Sequence, residues 1–165
     1  MTKLSLSVQY GIDVPDLPRW RIRRWVERAV RFASARLEHP PEQLMLTVRL
    51  VDDQEARMLN QAYRGRDYAT NVLTFNYDDD MGGHAPQAQD VWQADIVICD
   101  AVLRREANEQ LKPMLAHAAH LCIHATLHAL GFDHEVESEA LEMEALETMI
   151  LADMGIEDPY QHRAG

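Results

Sequence analysis

The stretch His117 to Glu135, HAAHLCIHATLHALGFDHE, constrains this chain more than any other. His124 and His128 stand four residues apart in a run of good helix formers without proline. That spacing puts both imidazoles on one helix face, one turn apart, where they can share an ion. Gly131 offers the left-handed backbone that ends a helix, and His134 follows three residues later. A helix that stops at Gly131 and turns back brings His134 towards the first two. Three imidazoles with one coordination position open form the ligand set of a catalytic zinc site rather than of a closed structural one. One Zn2+ ion is therefore expected, on a helix of the C-terminal half and the turn after it.

His117 and His120 share the same helical stripe, so a triad drawn wholly from the helix has to be weighed. It fails on distance: eight residues separate His120 from His128, about 12 Å of helix rise, against zinc–nitrogen bonds of about 2 Å. Both are expected to be packing or surface histidines. Cys122 lies roughly 160° around the helix from His124 and is rejected as a ligand. The frame His-x-x-x-His-x-x-Gly-x-x-His is also that of the metzincin proteases, whose general base is a Glu directly after the first histidine. Here that position is Ala125, so a peptidase would lack its proton acceptor.

At 165 residues the chain is most simply one domain, 1–165, with a real core. No run approaches the ~20 apolar residues of a membrane span, and the N-terminus carries no signal-peptide pattern. A cytoplasmic protein without membrane attachment is expected. Cys99 and Cys122 sit in apolar surroundings and read as reduced packing thiols. The net charge of −11 argues against a nucleic-acid partner, but it is unevenly spread. Through Arg66 there are 12 Lys/Arg against 8 Asp/Glu, and beyond it 4 against 19. Polyanion binding depends on local patches rather than on the total.

Leu4–Tyr10 alternates as a strand, and Arg19–Leu37 is helical with Ile22, Trp25, Val26, Ala29, Val30 and Ala33 on its apolar face. Arg21, Arg24, Arg28 and Arg31 form a basic stripe, read first as a solvated face and second as a phosphate-facing one. Leu44–Val51 is a second strand, with Asp52 or Asp53 capping a helix to about Tyr63. Asn71–Asn76 and Ala94–Cys99 are the third and fourth strands. Between them, the acidic segment around Gly82 and Gly83 is expected to be a mobile loop, with His84 a solvated histidine. Asp100 is expected to cap a helix to about Gln110, and Pro113 to open the histidine helix. Ser138–Met154 closes the chain as an amphipathic helix, with Leu141, Ala145, Met149 and Ala152 towards the core. The expected fold class is α+β, a small mixed four-stranded sheet with helices packed on it.

Several segments together resemble the YbeY family of bacterial endoribonucleases. LNQAYRGRDYATNVLTF (Leu59 to Phe75) is similar to the family's LN-x-x-YR-x-x-D-x-PT-[DN]-VLSF segment. ADIVIC is similar to its GDI-x-I strand, HATLHALGFDHE to HG-x-LH-L-x-G-x-DH, and EMEALETMILADMGIEDPY fits the tail. Ala69, Thr74, Asn76, Ala94 and Ala125 depart from the pattern, and none of these departures removes a ligand or the arginine. The resemblance implies zinc ligands His124, His128 and His134 and a functional arginine, Arg64. It further implies a zinc-dependent, single-strand-specific endoribonuclease in small-subunit rRNA 3′-end maturation and ribosome quality control. Implied partners are single-stranded RNA and rRNA, the small ribosomal subunit, a small-subunit ribosomal protein and an Era-type GTPase. Arg64, with a permanent charge and a planar fork, suits a phosphate. Asp133 is a candidate to orient His134 or simply a turn residue. Two other functions stand beside the nuclease: a non-catalytic ribosome assembly factor with structural zinc, and a metalloprotease-like hydrolase disfavoured by Ala125.

Overall fold

A computed structural model describes residues 2–77, 90–132 and 137–160. Four strands and five helices follow one another as β1 (Lys3–Tyr10), α1 (Arg19–Ser34), β2 (Gln43–Val51), α2 (Asp53–Arg64), β3 (Val72–Asn76), β4 (Val91–Cys99), α3 (Asp100–Glu109), α4 (Met114–Ala129) and α5 (Glu137–Asp153). The sheet runs β1-β2-β4-β3. β1, β2 and β4 are parallel, and β3 joins the edge antiparallel to β4. This is the mixed four-stranded α+β architecture expected from the sequence.

Alternation along the strands sets the two faces of the sheet. Leu44, Leu46, Val48 and Leu50 of β2 pair in register with Trp92, Ala94, Ile96 and Ile98 of β4. Together with Val26, Ala29, Ile123, Leu127 and Ile150 they form the main core. Each fully buried Leu or Ile there contributes about 1.5–3 kcal/mol of transfer free energy. On the opposite face Val51, Ala56, Leu73, Val97, Cys99 and Val102 make a smaller cluster under α2 and α3. Both cysteines are buried and unbridged, and burial pushes the Cys122 thiol up to about 12.

The apolar face read for α1 is the one it buries. Arg24 and Arg31 of the basic stripe are exposed, while Arg28 pairs with Asp153 of α5. The Asp52 carboxylate accepts from the Glu55 N–H at 2.8 Å, capping α2. Asp100 does not cap α3: it is that helix's first residue, and its carboxylate takes Arg104 one turn on instead.

The core-facing stripe expected for α5 is corrected by the packing. Leu141 is 61% exposed and Met149 41%, while Met143, Leu146, Glu147, Ile150 and Leu151 are buried. The helix carries apolar residues on both sides, and the side that packs is the one that includes a glutamate. The acidic segment 78–89, with His84, lies outside the described residues. Among the described residues, no helix is long and apolar enough to cross a membrane.

Candidate metal centre and cleft

α4 is buried nearly all round, as a helix of this apolar composition must be. Ala119, Ile123, Ala125 and Leu127 are fully inaccessible. His120, His124 and His128 are the partly exposed stripe along it. Ala125 points into the main core, so the position that holds the general base in metzincins faces packing, not solvent. The helix ends as the sequence predicts. Gly131 takes φ +95°, and the Phe132 N–H reaches back to the Leu127 carbonyl at 3.0 Å, the six-to-one bond of a Schellman turn.

The rings of His124 and His128 are 4.7 Å apart, centroid to centroid. Both line an open cleft of about 650 Å³, which is also lined by Arg64, Arg66 and by Thr74 and Asn76 of the edge strand β3. Arg64 is the last residue of α2, and Gly65 at φ +67° turns the chain out of the helix there. An Arg64 Nη2–H donates to the Thr74 carbonyl at 3.5 Å. The structure thus gathers three of the four residues singled out from the sequence, Arg64, His124 and His128. The fourth, His134, lies outside the described residues, as does Asp133.

Sequence reasoning missed the carboxylate behind the histidines. Glu147 of α5 is fully buried, and its Oε1 accepts from His124 Nδ1–H at 2.5 Å. His120 Nε2 lies 3.4 Å from the same oxygen. Tyr160 donates its hydroxyl to Oε2 at 2.5 Å and lies 3.2 Å from His120 Nε2. Burial raises the Glu147 pKa, but hydrogen bonds and charge from His120 and His124 outweigh it and hold the carboxyl down at about 2. His120, His124 and Glu147 present ligand atoms within 4.8 Å of one another and could bind a metal ion. Imidazole and carboxylate donors suit a first-row divalent ion. The signal in the sequence was a glutamate on an apolar stripe of α5.

A second cleft of about 600 Å³ meets the first at Asn71, Val72 and His124. In its wall the Glu106 carboxylate accepts from Asn71 Nδ2 at 3.1 Å and faces His117 Nε2 at 2.9 Å. Burial pushes Glu106 up, but these hydrogen bonds prevail and its pKa is lowered. His117 is therefore a packed, hydrogen-bonded residue at the far end of the stripe.

The α+β fold thus sets a group able to hold a metal ion beside an arginine-bearing cleft. The profile of the family described as Endoribonuclease YbeY matches residues 12–155. A Bordetella parapertussis protein called Endoribonuclease YbeY is 54% identical over 159 residues, covering 96% of this chain and 97% of its own. Relatives of that name from Herminiimonas arsenicoxydans and Paraburkholderia phytofirmans are 52% and 50% identical, each over 96% of this chain and respectively 96% and 97% of their own. The solution structure of TM1509 from Thermotoga maritima has the same fold, with a TM-score of 0.56 at 20% identity over 94% of this chain and 92% of that one. The chain belongs to the YbeY family of endoribonucleases.

Proposed function

We propose that this chain, as a single endoribonuclease domain over residues 1–165, cuts single-stranded RNA with one zinc ion held by His124, His128 and His134. Its substrate is the 3′ region of small-subunit rRNA, cut during maturation and ribosome quality control in the cytoplasm. Its partners are the small ribosomal subunit, a small-subunit ribosomal protein and an Era-type GTPase. The observation that carries the catalytic part is that Arg64 lines the same cleft as His124 and His128, in a chain of this family.

An ion so held supplies Lewis acidity towards a water or a phosphate oxygen. The chain's own residues do the rest. The planar, cationic fork of Arg64 fits two phosphate oxygens, so it holds the scissile phosphate and offsets charge gained in the transition state. Thr74 and Asn76 on the edge strand line the same cleft and offer polar groups to an unpaired backbone. A single strand enters such a cleft because its backbone is not locked in a duplex.

The test is cleavage of single-stranded RNA by protein of measured zinc content, beside folded His128→Ala and Arg64→Ala variants. Cutting by the parent alone supports the nuclease and both named roles. Equal cutting by all three rejects the site. A parent that binds zinc stoichiometrically but never cuts, alone or on the small subunit, favours the non-catalytic assembly factor.

A further inference from the structure

Glu147 can serve an ion in two ways, as a ligand with His120 and His124 or from behind His124. Its surroundings decide between them. The carboxylate is fully buried, and both oxygens already face donors: His124 Nδ1–H and His120 on Oε1, and the Tyr160 hydroxyl on Oε2. To ligate an ion, Oε1 would have to give up its contact with His124 Nδ1, 2.5 Å away. Left as it is, a carboxylate oxygen 2.5 Å from Nδ1 favours the ring proton there, which directs an ion to Nε2. A carboxylate behind a ligating imidazole also makes that imidazole a stronger base.

We propose that Glu147 is a positioning residue for the metal centre, acting through His124: it locks the ring's tautomer and orientation, and Tyr160 in turn locks Glu147. This rests on an ion shared by His124 and His128, as proposed above. Glu147 arrives from α5, 23 positions beyond His124, on a helix anchored by the buried Leu146 and Ile150, so the orienting group is as fixed as the helix that carries it.

The experiment measures zinc affinity by chelator competition for the parent and for Glu147→Gln, Tyr160→Phe, His124→Ala and His128→Ala, with helical content recorded for each. Ring-nitrogen NMR of the metal-free parent and Glu147→Gln adds a readout independent of activity. We expect His124 protonated at Nδ1 in the parent and a mixed tautomer in Glu147→Gln. Zinc affinity should fall about 10–100-fold in Glu147→Gln, and less in Tyr160→Phe. If Glu147→Gln does not fold, Tyr160→Phe carries the test, and an unchanged affinity there overturns the proposal. If His128→Ala loses zinc while Glu147→Gln keeps the parent's affinity and tautomer, the positioning role is wrong and the shared ion stands. If His128→Ala keeps zinc while Glu147→Gln loses it as completely as His124→Ala does, Glu147 is a ligand. Both the proposal and the shared ion then fail.

Discussion

Asn60 Nδ2 donates to the Tyr68 carbonyl at 2.9 Å, closing from below the turn that carries Arg64. The Asn60 carbonyl accepts from Arg66 N–H at 3.4 Å on the other side of that turn, and the residue is 1% exposed. Removing the side chain leaves a part-buried carbonyl without its donor, a loss of about 1–3 kcal/mol. Asn60→Ala should therefore lower the unfolding free energy by that amount, read as a lower urea midpoint at unchanged slope. It should also lower RNA cleavage at unchanged zinc content, because Arg64 loses its mount while α4 does not. Full cleavage by a destabilised variant would show that the turn does not position Arg64.

Arg64→Lys keeps the charge and gives up the fork. If the arginine grips two phosphate oxygens, the lysine variant should recover little of the activity that Arg64→Ala loses, a loss of about 100–1,000-fold by analogy with removal of a charge-stabilising donor. RNA affinity of the parent should also fall as salt is added, through released counterions. A lysine variant cutting at the parent's rate would reduce Arg64 to a point charge.

The lowered pKa of Glu106 has a sign that acid unfolding can read. A carboxyl held below its ordinary 4.5 in the folded state stabilises the protein above that value, and the contribution is lost as pH falls through the folded pKa. In thermal unfolding as pH falls below 4.5, the parent should lose stability faster than Glu106→Gln, and the gap between them should close. A gap constant across that window would mean that the His117 and Asn71 contacts do not depend on the charge.

Removal of zinc by a chelator should abolish cleavage and leave the fold. α4 is held by Ile123, Leu127 and Ala119 in the main core, none of which needs an ion. Circular dichroism should keep its helical signal, while added zinc stabilises the fold by mass action, about 2.7 kcal/mol at a hundredfold excess over Kd, and raises the melting temperature with it. Unfolding on chelation would instead point to a structural metal.

Much of this was legible in the sequence where one physical rule acted alone. Alternation gave β2 its buried Leu44, Leu46, Val48 and Leu50, and Gly131 ended α4 where a left-handed residue was needed. Legibility failed where two rules competed. On α5 a purely apolar stripe and one interrupted by Glu147 were both available, and hydrophobicity favours the first. The second is buried because His120, His124 and Tyr160 satisfy the carboxylate, and those partners lie 13 to 27 positions away in the chain. Asp100 had two uses as well, and the arginine one turn on outcompeted the cap. β4 began at Val91, earlier than its apolar run, because β2 offered backbone partners from Gln43 onward.

The contact between α4 and α5 through Glu147 also sets an order of assembly. During synthesis the turn of Arg64 emerges first and the histidine helix next, with Glu147 and then Tyr160 last. A nascent chain that has reached Gly131 owns His124 and His128 but not the Glu147 carboxylate that sits against the first of them. If Glu147 sets the tautomer of His124 as proposed, the centre is completed late, by the docking of the last helix, and RNA near a half-made chain would meet histidines not yet set for an ion.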